Sequence, residues 1–210
     1  MPSLFERFRP QTWEAVVGQD AAVRTFRKLA NDDALGGRAY WITGISGAGK
    51  TTIARLAARE LADPFCIEEV DAGDVDVGWV RDTQRTMHLY GFGVKSGRAF
   101  IINEAHRLRS DIVGRFNTAF EPIPGHVAFF FTTTIEGQGQ LFEDSIESPM
   151  FLSRCLPVKL RQRGILPRAA EVMQANARAA GMDGHYIGWY VNLFQQNRNN
   201  WRGVYQDVEA

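Results

Sequence analysis

The octapeptide Gly44-Ile45-Ser46-Gly47-Ala48-Gly49-Lys50-Thr51 constrains the fold of this chain more than any other stretch. It fits the pattern G-x-x-x-x-G-K-[ST] and sits between an apolar run, Ala39-Tyr40-Trp41-Ile42-Thr43, and a helix-forming segment. Strand, glycine-rich loop and helix in that order make a phosphate-binding loop. The glycines let the backbone wrap an anion, and the free N–H groups at the helix start face it. Lys50 then bridges the β- and γ-phosphates of a nucleoside triphosphate, and the Thr51 hydroxyl ligates Mg²⁺. Gly44 through Thr51, with Thr52 beside them, form the candidate phosphate site.

The surrounding pattern predicts an α/β protein. Ala99-Phe100-Ile101-Ile102 and Val127 to Thr132 are apolar runs like the one before the loop, and none of them alternates apolar with polar residues. Continuous apolar strands are buried on both faces, which predicts a parallel sheet covered by helices. Ile67 to Val70 and Leu156 to Leu160 are weaker strand candidates. Helical windows fall between them: Thr51 to Leu61, ended by Asp63-Pro64; Trp79 to Leu89; and Asp111 to Phe120, stopped by Pro122 and Pro124. The first 40 residues are polar and mixed and suggest no element. From Leu166 onward only helical windows remain: Pro167 to Ala180, Tyr186 to Gln195 and Trp201 to Glu209. The expected organisation is a core over residues 1–161 and a small all-helical lid over 162–210, with the boundary near Gln162.

Composition narrows the function classes. A chain of 210 residues holds one or two domains with a real core. Its 24 basic and 24 acidic residues leave no global basic field, so any nucleic-acid contact must be local. Two cysteines, Cys66 and Cys155, are too few for a disulfide framework or a four-cysteine zinc site. The start, Met1-Pro2-Ser3-Leu4-Phe5-Glu6-Arg7, lacks the apolar stretch of a signal peptide. The longest apolar run, Val127 to Phe131, is far short of the roughly 20 residues of a membrane span. A cytoplasmic protein with no membrane partner and no zinc is expected.

The run Ile101-Ile102-Asn103-Glu104-Ala105-His106 ends an apolar strand in polar residues, where a phosphate-loop enzyme places its metal-side acid and its base. Glu104 is the candidate general base for an attacking water. Asn103 stands where an aspartate normally accepts bonds from the metal's water shell. An amide keeps one acceptor oxygen but loses the charge, so Mg²⁺ binding is expected to weaken without vanishing. Restoring the acid by Asn103→Asp is then expected to raise turnover. His106, with no paired Cys or His at ligand spacing, reads as a packing or hydrogen-bonding residue. Thr132-Thr133-Thr134 close the third apolar strand, at the end of a parallel sheet where ligands gather.

These residues together resemble the AAA+ ATPases of clamp loaders: the bacterial polymerase III gamma subunit, the replication factor C small subunits and their phage counterparts. The opening stretch Phe5-Glu6-Arg7-Phe8-Arg9-Pro10-Gln11-Thr12-Trp13 with Val16-Val17-Gly18-Gln19 looks like the family's start. The phosphate loop and Asn103-Glu104-Ala105-His106 look like Walker A and Walker B. Leu152-Ser153-Arg154-Cys155 looks like the motif "SRC", and Asn200-Trp201-Arg202-Gly203-Val204 sits where the lid's sensor-2 arginine belongs. The resemblance runs from about Leu4 to Glu209.

The resemblance implies an AAA+ core with a five-stranded parallel sheet, then a helical lid, using ATP and Mg²⁺. Arg9 and Val17 would border the adenine. Thr51 and Asn103 would serve the metal, and Glu104 would be the catalytic base. Thr134, or Thr133 one residue earlier, would be sensor 1. Arg202 would reach the γ-phosphate from the lid, and Arg154 would be an arginine finger on a neighbouring subunit's ATP. The implied function is ATP-driven loading of a sliding clamp on primer-template DNA. The DNA would be gripped by its backbone, with Arg81, Arg107 and Arg109 as candidate contacts. The partners would be other AAA+ subunits in a ring, the clamp and the DNA. Four departures stand out: Asn103 in Walker B, the missing zinc cysteines, the missing collar domain, and a long loop from Gly137 to Pro149. They leave open another DNA-acting AAA+ machine, of helicase-loader or branch-migration type, and an ATP-binding switch that hydrolyses weakly.

Overall fold

A computed structural model describes residues 3–134, 147–161, 164–182 and 184–210. Its centre is a five-stranded parallel sheet: β1 (Arg38–Thr43), β2 (Ile67–Asp71), β3 (Arg98–Asn103), β4 (Val127–Thr133) and β5 (Cys155–Lys159), in the spatial order β2-β3-β4-β1-β5. The register pairs Thr43 with Thr133 and Ile102 with Phe131, so the carboxyl ends of β1, β3 and β4 lie side by side. All five strand candidates are present; four are longer by a residue or two, and β5 begins and ends one residue earlier than expected.

The unbroken apolar runs follow from burial on both faces. Every residue of β4 is buried, and its side chains divide between two cores. Phe129 and Phe131 point into one core with Phe100, Phe116 and Phe151. Ala128 and Phe130 point into the other, against Tyr40, Ile42 and Ile53. The first core is closed by α4 (Val77–Thr86), α5 (Ser110–Ala119) and α6 (Glu147–Ser153). The second is closed by α3 (Lys50–Leu61) and α2 (Asp20–Asn31). Asp76 starts α4 by accepting from the Trp79 N–H at 2.7 Å, which places its start two residues before the expected Trp79.

The first 40 residues hold two helices that were not expected there, α1 (Leu4–Arg7) and α2. In α2 the apolar residues Ala22, Val23, Phe26, Leu29 and Ala30 recur at helical spacing and pack as one face against the second core, so the periodic signal is present among its charged residues. Helix α6 also went unread, within the stretch Gly137 to Pro149 and its continuation. Residues 137–146 of that loop, and the boundary at Gln162, lie outside the described residues.

The tail forms α7 (Leu166–Ala179), α8 (Ile187–Gln196) and α9 (Trp201–Glu209), as the windows required. These helices gather their own core of Ala169, Ala170, Met173, Tyr190, Phe194, Val204 and Tyr205. The start of the chain joins it: Leu4 is buried there, and its N–H donates to Glu209 Oε1 at 2.6 Å. Among the described residues no helix is long and apolar enough to cross a membrane.

Candidate nucleotide site

The phosphate loop runs from the end of β1 into the start of α3. Gly47 and Gly49 hold φ of +72° and +91°, the left-handed region that a side chain resists. Gly47 is needed for space as well: a Cβ there would come within 1.8 Å of Asn200 Oδ1. Asn200 itself caps α9 by accepting from the Arg202 and Gly203 N–H groups, so the loop and the last helix pack directly together. Lys50 is buried, and its ammonium donates to the carbonyls of Gly44 at 3.2 Å and Ile45 at 2.9 Å. It is folded back over the loop that it would leave to meet a phosphate.

At the carboxyl end of β3, Asn103 is joined to the loop. Its Oδ1 accepts from Thr51 Oγ1 and from Thr132 Oγ1, both at 2.9 Å. The two residues expected on the metal side therefore touch. Glu104 follows in a left-handed conformation, φ +52°, which costs a non-glycine residue of order 1 kcal/mol or more. Its carboxylate remains about two-fifths exposed and lies 3.6 Å from His106 Nδ1. His106 in turn shares a hydrogen bond of 3.0 Å with Thr133 Oγ1. Glu104, His106 and Thr133 thus form one polar row beside the loop, and Thr134 is the next residue along.

A cleft with a cavity volume of about 150 Å³ opens between the phosphate loop and the tail helices. Phe5, Phe8, Arg9, Val16 and Val17 line one side, Gly47 to Gly49 the floor, and Val172, Asn176, Trp201 and Tyr205 the other side. Arg9 and Val17, the residues expected to border an adenine, both line this cleft. The Arg9 guanidinium donates to Thr52 Oγ1 at 3.1 Å, bonds Glu6, and lies 4.9 Å from the Phe5 ring centroid. That hydrogen bond from Arg9 holds the Glu6 carboxyl below its ordinary range. Arg202 does not line the cleft; its guanidinium rests over the Phe5 ring, 5.1 Å from the centroid.

Arg154 stands apart from all of this. It immediately precedes β5, and Cys155 pairs with Ala39, at the start of β1. The phosphate loop leaves the other end of β1. The length of a strand therefore separates Arg154 from its own loop, on the order of 15 Å. Its guanidinium is held by Glu121 and by the Met150 carbonyl at 3.2 Å.

Residues to which the sequence reading gave no role complete the site. Gln19 is buried and fastens the loop to the start of the tail. Its amide donates to Ala48 O and Arg161 O, and its carbonyl accepts from Arg161 N at 2.8 Å. Gly18 beside it has φ +74°, and a Cβ there would meet Ile165 Cγ2 at 2.0 Å. Glu69 on β2 accepts from Asn103 Nδ2 at 2.8 Å. Of the aromatic wall, Phe5, Phe8 and Trp201 fall in the family-like stretches without an assigned role, and Tyr205 had no signal beyond its residue type.

No family model matches the chain. The tau subunit of DNA polymerase III from Salmonella typhimurium is 31% identical over 183 residues, covering 75% of this chain and 27% of that protein. The gamma subunit from Buchnera aphidicola subsp. Acyrthosiphon pisum is 30% identical over 182 residues, covering 75% and 47%. The chain is a homologue of the DNA polymerase III gamma/tau subunits. It spans about a quarter to a half of the length of these relatives. Among solved structures, a RuvB variant from Thermotoga maritima superposes with a TM-score of 0.71 at 16% identity, over 96% of this chain and 64% of that one. A gamma-subunit-related protein from Thermotoga maritima gives 0.55 at 11% identity, over 80% and 57%. At such identities the structural matches establish the fold alone, and the fold of this gamma/tau homologue is that of the AAA+ proteins.

Proposed function

We propose that this gamma/tau homologue is an ATP-binding and ATP-hydrolysing subunit of a clamp-loader-like complex, coupling ATP to the placement of a sliding clamp on primer-template DNA. The observation that carries the reading is the contact of Thr51 with Asn103, with Glu104 next along the chain, beside a cleft floored by the phosphate-loop glycines. The donor set fits ATP and Mg²⁺: backbone N–H groups at the start of α3, one buried ammonium, and hydroxyl and amide oxygens for the cation.

In this reading the base lies against Val17 and the aromatic wall, with Arg9 at its edge. Lys50 exchanges the carbonyls of Gly44 and Ile45 for phosphate oxygens. Thr51 and Asn103 would hold Mg²⁺, which when bound neutralises charge across the β- and γ-phosphates. Glu104 takes the proton of the attacking water, and Thr133 or Thr134 orients that water from the end of β4. Arg202, now over the Phe5 ring, would leave it to reach the γ-phosphate from the lid.

Arg154 supports an assembly. Being a strand's length from its own loop, it serves phosphate only on another molecule, and an arginine supplied in trans can be worth 10³ or more in rate. A chain carrying both a loop and such an arginine suits a ring of like subunits. Steady-state ATP hydrolysis with and without primer-template DNA, for the wild type and Arg154→Ala, tests the reading. DNA-stimulated turnover that the Arg154 change abolishes is the expected result; turnover indifferent to both would refute it. Asn103 favours a second reading, an ATP-binding switch with weak hydrolysis, for which the same assay would show nucleotide binding and negligible turnover.

A further inference from the structure

The asparagine at the end of β3 is one end of a chain of side chains that begins on α3. Arg55 grips Glu69 with two donors, Nε to Oε2 at 2.6 Å and Nη2 to Oε1 at 3.0 Å. Glu69 Oε1 also accepts from Asn103 Nδ2 at 2.8 Å. Asn103 Oδ1 then takes the hydroxyls of Thr51 and Thr132. A carboxylate only accepts, so the amide nitrogen must face Glu69 and the amide oxygen must face the phosphate loop. The amide has no second orientation available without setting its oxygen against the carboxylate.

We propose that Glu69 is the positioning residue for Asn103, and that the two act as a matched pair: the Glu69 carboxylate holds the amide so that its oxygen alone faces Thr51 and the cation side of the nucleotide site. The inference rests on the nucleotide-binding reading above and deepens it. Arg55 neutralises Glu69, so Glu69 acts through the amide's direction and not by lending charge to the cation. The pair also reverses the expectation for Asn103→Asp. An acid at that place would set one of its oxygens where the nitrogen now lies, 2.8 Å from Glu69 Oε1, and two carboxylates at that range repel. Restoring the usual acid alone is therefore expected to harm the site, and Glu69→Gln is expected to repair it by supplying an amide donor from the β2 side.

The test is a double-mutant cycle on Glu69→Gln and Asn103→Asp in the full chain, read by the anisotropy of a fluorescent ATP analogue with Mg²⁺ and with EDTA. A second readout is the melting temperature of the nucleotide-free proteins. Asn103→Asp alone is expected to weaken binding with Mg²⁺ by roughly tenfold, to change binding in EDTA by less than threefold, and to lower the melting temperature. Adding Glu69→Gln is expected to restore both quantities, with Mg²⁺-dependent binding returning to within threefold of the wild type. Glu69→Ala is expected to reduce the ratio of binding with Mg²⁺ to binding in EDTA, which a merely structural role would leave unchanged. If Asn103→Asp alone strengthens binding with Mg²⁺, or if the two changes add independently within twofold, the pairing is wrong while the nucleotide reading stands. If the wild type binds no ATP analogue under either condition, the nucleotide reading falls and this inference falls with it.

Discussion

Gln19 is a single side chain on which the union of loop and tail can be measured. It is only 4% exposed and makes one acceptor bond of 2.8 Å to Arg161 N, one donor bond of 3.1 Å to Arg161 O and a longer one of 3.4 Å to Ala48 O. Gln19→Met keeps the length and removes the amide, so the loss comes from hydrogen bonding with little cavity. At about 1 kcal/mol net for each of the two shorter bonds, the expected loss is about 2 kcal/mol. For a chain of this size that lowers the melting temperature by about 4–8 °C. Gln19→Glu is expected to do worse: its carboxylate still accepts from Arg161 N but faces the carbonyls of Arg161 and Ala48 with nothing to donate. Differential scanning calorimetry of both variants, with exposed Gln195→Met as control, gives the ranking. A Gln19→Met protein melting within 1 °C of the wild type, or a Glu variant melting above the Met variant, would refute the hydrogen-bonding account.

Other outcomes follow from the same coordinates. Gly47→Ala forces a side chain into the left-handed region and into Asn200 Oδ1, so ATP-analogue binding should fall at least tenfold; pairing it with Asn200→Gly should recover part of that loss, which titration by anisotropy would show. Arg154→Ala removes a surface pair with Glu121, which is two-thirds exposed, so thermal stability should change by less than about 1 kcal/mol while turnover in the assembled state is lost. At alkaline pH, burial pushes the phenols of Tyr40 and Tyr205 from 10.0 up to about 12. Below pH 10 both states keep these protons. Above it the unfolded chain releases them first, so stability should decline between pH 10 and 12 by at most about 1.4 kcal/mol per pH unit for each phenol, as denaturant titrations at stepped pH would report. Burial likewise pushes the Cys155 thiol up to about 12, so iodoacetamide at pH 8 should label it only after unfolding, as mass spectrometry would register.

Which parts of this molecule could be read from residues alone depends on how far apart in the chain the cause and its partner lie. The sheet was legible because burial on both faces writes itself into consecutive residues: each of Val127 to Thr133 is buried, so no alternation was needed to see β4. The phosphate loop was legible because its glycines, lysine and threonine act on their own immediate backbone. The tail helices were legible because broad apolar faces repeat within a turn. Helix α2 carries such a face too, in Ala22, Val23, Phe26, Leu29 and Ala30, and it went unread among the charged residues around it. Gln19 was visible as part of a motif but not as a fastener, since its partners lie 29 and 142 residues away. Asn103 shows the limit most clearly. Its residue type suggested a weakened metal site that one acid would mend. The register that sets Asp71 opposite Asn103 also carries Glu69, two residues back on the same face of β2, within reach of the amide. Only the pairing of the strands reveals that neighbour, and the neighbour changes the sign of the expected mutation. An apparent defect in a motif therefore has to be judged together with the side chains on the adjoining strand, because the group lost at one position is accommodated by the group held beside it.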